Sequence, residues 1–281
     1  NKIIIYPIAM IKKTTLALAL AATTLATTSC LKVPVTGRRQ VNLLPESILG
    51  GMAKTQYQQF LSTNAPMQAS DNNVAMVRRA GDKIAKAVAL YLKQTHQSKR
   101  IEGFKWEFNV VNDNTVNAWC MPGGKVVVYT GLLPVTQTEG ALAIVMGHEI
   151  AHAIARHGNE RMSQGLAVQA AGIGAQVFLA TKGTSAQGVQ LFNQAFGVTS
   201  QLGILKYSRV HESEADKMGL IFAAMAGYNP EEAIAFWQRM GAQGGGKPPE
   251  ILSTHPSDET RIKDLKAFMP RAKSYYKPMA N

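Results

Sequence analysis

Cysteine is scarce in this sequence, with two residues among 281, Cys30 and Cys120. Two cysteines cannot form a disulfide framework, and they cannot supply the set of thiolates that a cysteine-ligated zinc site needs. The count fits a chain in a reducing compartment, or an exported chain that uses Cys30 in another way.

Acidic and aromatic residues are also few. The chain has 30 Lys and Arg against 18 Asp and Glu, a net charge of +12, and only 7% aromatic residues. A nucleic-acid surface typically shows a basic stripe interleaved with aromatics, whereas the basic residues here are scattered. We therefore expect no nucleic-acid partner, and the charge favours an anionic membrane surface instead.

The apolar runs are short or interrupted. The run from Leu16 to Ala26 is too short to span a bilayer as a helix. The run from Gly165 to Ala180 is broken by Gln169, Gln176 and several glycines. This pattern favours a packed or membrane-resting helix over a membrane span.

The first thirty residues have the pattern of an export signal. A start at Met10 would place Lys12 and Lys13 in the basic region, and the Leu16–Ala26 run follows as the apolar region. Thr27-Thr28-Ser29-Cys30 then resembles a bacterial lipoprotein processing site. This predicts a signal segment over residues 1–29, a lipid on Cys30 and a location on the periplasmic side of the outer membrane. Thr27 stands where an aliphatic residue is usual, so secretion into the periplasm as a soluble protein is the alternative.

Three domain-level segments follow the signal. Residues 30–45, which contain Pro34, Gly37 and Pro45, are predicted to form an extended tether. Residues 46–270 are predicted to form the folded domain, and residues 271–281 a C-terminal tail. Within the domain, helical spacing from Asn73 to Tyr91 predicts a helix whose apolar stripe comprises Val74, Val77, Ile84, Val88 and Leu92.

A small sheet is predicted directly before a long apolar helix. The strands are expected at Phe104–Val110, Asn117–Met121 and Lys125–Tyr129, with a turn at Pro122-Gly123-Gly124. The apolar run Ala141–Ala155 predicts one buried helix after them. The expected fold class is therefore α+β, mainly helical.

Histidine is scarce as well, with six residues, yet two of them lie in this buried helix. His148-Glu149-Ile150-Ala151-His152 places two imidazoles on one helical face, where they can hold one metal ion, and Glu149 lies one step round the helix. The alternative is two core histidines beside an unrelated glutamate, which the low histidine content disfavours.

The ends of this helix are also marked in the sequence. Thr136 and Glu139 predict a capping box at its start. Gly158, after Arg156 and His157, predicts its end. His157 is expected to point away from the metal and to interact with the charge at the helix end.

A catalytic zinc ion needs a further protein ligand besides two histidines. In the helix predicted from Val210 to Met225, Glu212 and Asp216 lie on one face. Glu212 can bind the metal, and Asp216 can then accept the outer N–H of a ligand histidine. Glu214 points about 160° away from Glu212, so the two cannot share this role. The alternative is an acidic, solvated helix face.

These motifs together resemble a known family. His148-Glu149-x-x-His152 and Ser208-Arg209-x-x-Glu212-x-x-Ala215-Asp216 are similar to the gluzincin metallopeptidases of the HtpX, BepA and OMA type, peptidase family M48. The resemblance covers roughly residues 33–268 and is closest to the exported members. Its other elements are Pro34-x-Thr36-Gly37-Arg38, Asn117-Ala118 with Pro122-Gly123-Gly124, and His255-Pro256 with Arg261.

The resemblance implies a zincin-like catalytic domain. It also implies one zinc ion per chain, held by His148, His152 and Glu212 with Asp216 behind them. The expected function is a zinc-dependent endopeptidase that cleaves unfolded or misassembled envelope proteins in quality control. Two alternatives are a chaperone-like assembly factor with latent protease activity and a zinc hydrolase of a non-peptide bond. The oligomeric state is not predicted.

Roles follow for other residues. Glu149 is expected to move the proton between water and the leaving amine. Arg261 is the first candidate for a second oxyanion donor, with Tyr207 and His211 as alternatives. His255 is expected to act as a switch ligand in the open metal position; the alternative is a histidine that caps the last helix or lines the substrate groove. The strand that is expected to hold an extended peptide comprises Asn117, Ala118, Trp119, Cys120 and Met121.

Overall fold

The structure is a computed structural model that describes residues 30–169, 180–182, 184–196, 208–242, 251 and 259–278. Five strands run in chain order: β1 (Cys30–Lys32), β2 (Arg39–Val41), β3 (Glu107–Val111), β4 (Ala118–Met121) and β5 (Lys125–Tyr129). The α-helices in the same residues are α1 (Glu46–Thr63), α2 (Asn72–Gln94), α3 (Leu133–Thr136), α4 (Glu139–Ala155), α5 (His157–Gln169), α6 (Ala186–Phe196), α7 (Arg209–Met225), α8 (Glu232–Ala242) and α9 (Glu259–Lys273). The predicted class, mainly helical with a small sheet, is confirmed.

The three central strands form one sheet in the order β3-β5-β4. Strand β3 is parallel to β5, and β4 is antiparallel to β5 with Trp119 opposite Val127. The outer edge of β3 is partly covered, because Pro66 forms a bridge to Val111. Strand β4 forms the opposite edge of the sheet, and it packs against α4.

Helix α2 forms as its periodicity predicts. All five residues of the apolar stripe are at most 1% exposed. Asp71 caps the helix by accepting a hydrogen bond from the backbone N–H of Asn73. The buried stripe lies in the main core, together with the apolar residues of α4 and α7.

Helix α4, which carries the two histidines, crosses α7 at very short distance. A Cβ atom on Gly219 would lie 2.8 Å from the backbone nitrogen of His148. Glycine is therefore required at this crossing, because any side chain would force the helices apart. The close approach brings the first turns of α7 beside the histidines.

Both ends of α4 differ from the sequence prediction. Its cap is Thr138, whose side chain accepts a hydrogen bond from the N–H of Ala141, whereas Thr136 lies in α3. Its last turn ends at Arg156, which has a φ of 63° in the left-handed region. Gly158, predicted to end the helix, lies inside α5 instead. The chain is thus turned sharply by a non-glycine residue directly before His157.

The segment 30–45, expected to be an extended tether, packs against the helices. Strand β1 pairs with β2 in antiparallel register. Val33, Gln40 and Leu44 are buried, at 1%, 2% and 4% exposure. At the other end, α9 continues through Pro270, the last residue of the predicted domain, to Lys273 in the predicted tail.

No helix in the described ranges is long and apolar enough to cross a membrane. Residues 170–179 of the apolar run from Gly165 to Ala180 lie outside those ranges, as do residues 1–29 of the predicted signal segment.

Candidate metal centre

Three side chains from α4 and α7 converge at one point. The Nε2 atoms of His148 and His152 are 3.1 Å apart. Glu212 places one carboxylate oxygen 3.5 Å from the Nε2 of His148 and the other 3.4 Å from the Nε2 of His152. All three side chains are buried, and among the described residues they form the group that could hold a metal ion.

These distances fit a tetrahedral metal site. Ligand atoms held about 2.0–2.1 Å from a zinc ion in tetrahedral geometry lie about 3.3–3.4 Å from one another. The nitrogen–nitrogen separation of 3.1 Å and the nitrogen–oxygen separations of 3.4 and 3.5 Å, one to each Glu212 oxygen, lie around this value. Two imidazoles and a carboxylate are also a ligand set that catalytic zinc commonly uses. The residues present therefore fit the metal that the sequence predicts.

Behind His148 lies a carboxylate held by an arginine. The Nδ1 of His148 is 3.0 Å from the Oδ1 of Asp216. Arg261 on α9 donates to both carboxylate oxygens of Asp216, at 2.6 and 2.9 Å, and stacks over the ring of Trp237. Burial acts to raise the pKa of Asp216, but Arg261 beside it keeps that pKa below its usual range. Asp216 is thus an acceptor that fixes the ring of His148 with Nε2 towards the metal position.

Behind His152 lies a second histidine. The Nδ1 of His152 is 2.9 Å from the Nδ1 of His157, and the Nε2 of His157 is 3.0 Å from the Oε2 of Glu214. His157 is fully buried, and burial lowers its pKa to about 4, so its ring is neutral at pH 7. The expectation that His157 points away and serves the helix-end charge is therefore wrong.

The electrostatics of the centre favour a cation. Burial acts to lower the pKa of His148, but hydrogen bonds with Asp216 and Glu212 raise it to about 9. Burial lowers the pKa of His152 well below its usual range. The carboxylates beside His148 therefore stabilise positive charge at that ring, whereas burial keeps His152 neutral, the form in which an imidazole binds a metal ion.

Glu149 follows the ligand histidine His148 on α4 and lies near the sheet. Its side chain is buried, at 4% exposure. Burial raises the pKa of the Cys120 thiol on β4, and the nearby charge of Glu149 raises that pKa further. Helix α4 thus presents Glu149 near the edge strand that was predicted to hold a peptide.

The remaining predicted residues divide into two groups. Arg261 lies at the centre, with its Nη1 3.5 Å from the Oε2 of Glu212. His211 is buried one residue before Glu212, but its Nε2 lies 3.0 Å from the Oε2 of Glu160. Tyr207 and His255 lie outside the described residues.

Sequence reasoning missed two participants, His157 and Arg38. His157 is five residues after His152, and on one continuous helix it would point elsewhere. The left-handed Arg156 breaks that helix and turns His157 back, and no local signal marks this turn. Arg38 was noted as part of a motif near the N-terminus, but its contacts are with residues far along the chain.

The chain is similar to several proteins named as metalloendopeptidases or proteases. The mitochondrial metalloendopeptidase OMA1 of Schizosaccharomyces pombe is 32% identical over 243 residues, which are 85% of this chain and 66% of that protein. The human mitochondrial metalloendopeptidase OMA1 is 29% identical over 248 residues, 85% of this chain and 46% of that protein. The beta-barrel assembly-enhancing protease of Yersinia pestis is 32% identical over 166 residues, 57% of this chain and 34% of that protein.

The chain thus spans between one third and two thirds of the length of these relatives. The sequence model of Peptidase family M48 matches residues 79–269, a range that holds the sheet, both histidines of α4 and Glu212. The predicted resemblance is confirmed, and the chain belongs to peptidase family M48.

Proposed function

We propose that the chain is a zinc-dependent endopeptidase in which His148, His152 and Glu212 hold one zinc ion. The observation that carries the proposal is the convergence of two buried imidazole nitrogens, 3.1 Å apart, with the Glu212 carboxylate, whose two oxygens lie 3.5 and 3.4 Å from them. Glu149 follows His148 directly on α4. Membership of a peptidase family supports the hydrolytic reaction, and the names of the relatives describe metalloendopeptidases.

The chain's own residues would carry the proton transfers of peptide hydrolysis. When bound, zinc supplies Lewis-acid activation of the attacking water and of the scissile carbonyl. The Glu149 carboxylate takes a proton from this water as it attacks the carbonyl carbon. Glu149 then gives a proton to the amide nitrogen as the C–N bond breaks, so the amine leaves neutral. Asp216 holds His148 in place throughout.

For Arg261 we propose the role of a second oxyanion donor. We assign this role to Nη1, which lies 3.5 Å from the Oε2 of the proposed ligand Glu212. Nε and Nη2 donate to Asp216 and hold the guanidinium in place. The fixed position of the guanidinium supports the proposal, since donors that are already oriented stabilise a developing charge best.

We propose that β4 binds the substrate as an added strand. Asn117 pairs with Tyr129 through a backbone hydrogen bond, and Trp119 lies two residues on, opposite Val127. In an antiparallel pair this alternation turns the backbone groups of Ala118 and Cys120 away from β5. An extended peptide could pair there with little dependence on its sequence. Unfolded or misassembled proteins are therefore the substrate class that we propose.

We also propose that the protein acts in the bacterial cell envelope, anchored through a lipid on Cys30. The support is the Thr-Thr-Ser-Cys sequence and the likeness to a beta-barrel assembly-enhancing protease. Mass spectrometry of the mature N-terminus tests the anchor. Acylated Cys30 is the expected result, and a free N-terminus at another residue would contradict it in favour of a soluble periplasmic protein.

The function itself is tested with a chemically unfolded protein, such as reduced and alkylated lactalbumin, and the zinc-loaded chain. We expect the wild type to cleave it and Glu149→Gln to lose cleavage while it keeps one equivalent of zinc, because glutamine has the same shape but cannot accept the proton. Cleavage by Glu149→Gln at the wild-type rate would contradict the mechanism. Binding of the unfolded protein without cleavage by the wild type would favour the chaperone-like alternative.

A further inference from the structure

Arg38, in the segment before α1, joins two buried acids from different helices. Its Nε and Nη2 donate to the two carboxylate oxygens of Glu214 on α7, at 2.8 and 2.9 Å. Its Nη1 and Nη2 donate to the two oxygens of Glu160 on α5, both at 2.7 Å. Glu214 and Glu160 are 3% and 5% exposed. One guanidinium therefore compensates two buried negative charges that would otherwise repel each other.

The segment around Arg38 is folded into a turn that presents this side chain. The backbone N–H of Val33 donates to the carbonyl of Arg38, and the N–H of Gly37 donates to the carbonyl of Val33. Gly37 has a φ of 71°, which glycine adopts without strain. Thr36, in the same turn, donates to the Oε1 of Glu214 at 2.8 Å. Two neighbouring side chains thus bind the same carboxylate.

From Glu214 the hydrogen bonds lead to the metal ligand His152. If the Nε2 of His152 is to bind a metal, its Nδ1 must carry the proton and donate to the Nδ1 of His157 at 2.9 Å. The Nε2 of His157 then carries a proton and donates to Glu214 at 3.0 Å. Glu214 ends the series, because its carboxylate only accepts hydrogen bonds. It also accepts hydrogen bonds from Arg38 and Thr36. All donor directions are consistent with a single tautomer of each ring.

A second branch leads from Arg38 to the neighbour of Glu212. Glu160 also lies 3.0 Å from the Nε2 of His211, and the ring of His211 stacks on the ring of His157 with 4.4 Å between centroids. His211 directly precedes the third ligand. Arg38 therefore supports both the ring behind His152 and the turn of α7 that carries Glu212.

We propose that Arg38 is a positioning residue of the metal centre, with Thr36 assisting it. The turn formed by Val33–Arg38 fixes Glu214, Glu214 fixes His157, and His157 fixes the ring of His152 with Nε2 towards the metal. This inference rests on the proposed metal site, and it adds to that site a part of the chain that lies outside the residues matched to the peptidase family.

The test measures metal binding directly, on the full chain. Zinc affinity is determined by competition with a chromophoric chelator, and the electronic absorption spectrum of the Co²⁺-substituted protein reports the ligand geometry. We expect Arg38→Ala to lower zinc affinity about 10–100-fold, as is typical when the partner of a ligand histidine is disturbed, and to shift the cobalt bands. Arg38→Lys should be intermediate, because an ammonium cannot bond both carboxylates in the same bidentate way.

Arg79→Ala is the matched control. Arg79 on α2 also forms a bidentate pair with a glutamate, Glu139 at the start of α4, so the variant removes the same charge and the same kind of contact. It touches none of the residues behind His152, and we expect unchanged zinc affinity and an unchanged cobalt spectrum. A milder variant, Thr36→Val, removes one hydrogen bond to Glu214 and should give a small shift in the direction of Arg38→Ala.

The outcomes separate this inference from the proposed function. A folded Arg38→Ala protein with wild-type zinc affinity and cobalt spectrum would overturn the positioning role. If Arg38→Ala does not fold, the same result for Thr36→Val and Arg38→Lys would overturn it. A wild-type chain that binds zinc but cleaves no protein would refute the proposed function alone, and one that binds neither metal would refute both.

Discussion

His148 and His152 are one helical turn apart on α4, yet the hydrogen bonds behind them lead to opposite ends of the chain. Behind His148, a carboxylate contacts the ring directly, and Arg261 from the C-terminal helix holds it. Behind His152, a second imidazole comes first, and the carboxylate that follows is held by Arg38 near the N-terminus. A direct carboxylate transmits more negative charge to the ligand than one placed behind a neutral ring. We therefore expect substitutions on these two sides of the centre, behind His148 and behind His152, to lower zinc affinity by different amounts.

The largest effect should come from Glu212, which both histidines face. We expect Glu212→Ala to lose the metal or to bind it more than about 100-fold more weakly, beyond the range for groups behind a ligand. Metal content after equilibrium dialysis is the measurement, with Glu259→Ala on α9, whose side chain is exposed, as the control. Full occupancy in Glu212→Ala would assign the third ligand to another residue.

The next effect compares the two sides directly. Asp216→Asn and Glu214→Gln remove one negative charge each while keeping the shape, so they form a matched pair. We expect both to weaken zinc binding within about 10–100-fold, with Asp216→Asn the larger, because Asp216 contacts its ligand histidine and Glu214 acts through His157. Chelator competition measures the two affinities side by side. Equal losses, or a larger loss in Glu214→Gln, would show that distance from the ligand does not set the sensitivity.

A smaller effect is expected from substitution of His255, which would bind at the open metal position. Here the direction of the change in cleavage decides between two roles. If His255 is a fourth ligand that holds the enzyme latent, His255→Ala should raise cleavage of unfolded substrates several-fold with zinc retained, as removal of a competing ligand frees the position for substrate. Peptide release by the zinc-loaded variant is the readout. Unchanged or reduced cleavage across several substrates would instead leave His255 as a groove residue.

The smallest effect concerns the start of α4, away from both sides of the centre. Thr138 caps this helix, and we expect Thr138→Ala to lower the free energy of unfolding by about 0.5–2 kcal/mol. Thr138→Ser keeps the capping hydroxyl and should retain most of the stability. Denaturant unfolding measures both variants. If Thr138→Ser is as unstable as Thr138→Ala, the loss comes from packing of the methyl group and the cap is unimportant.

The carboxylate behind His148 was predictable from the sequence, whereas the Arg261 that holds it and the residues behind His152 were not. The i, i+4 spacings of His148 with His152 and of Glu212 with Asp216 both survive in the structure, since regular helices preserve periodicity. The apolar stripe of α2 and the three strands were predictable for the same reason, although the strand and helix ends shifted by a few residues.

The contacts behind His152 depend on two features that periodicity does not encode. Arg156 adopts a left-handed conformation without a glycine to signal it, and this turn alone directs His157 towards the metal ligand. Arg38 reaches Glu214 across 176 positions of sequence, and no local pattern specifies a contact of that range. The short motif around Arg38 indicated a family, but its physical role became visible only with α5 and α7 in place.

That sequence separation has a consequence for how the protein is made. A growing chain contains Arg38, His148 and His152 well before it contains Glu212 and Glu214, and long-range contacts of this kind form late because they require closure of large loops. The proposed ligand set is incomplete until Glu212 has been synthesised. For a peptidase directed at unfolded polypeptides, as we propose, the unfinished chain is itself a potential substrate. The order of synthesis therefore separates the period in which the chain is vulnerable from the period in which it can cut.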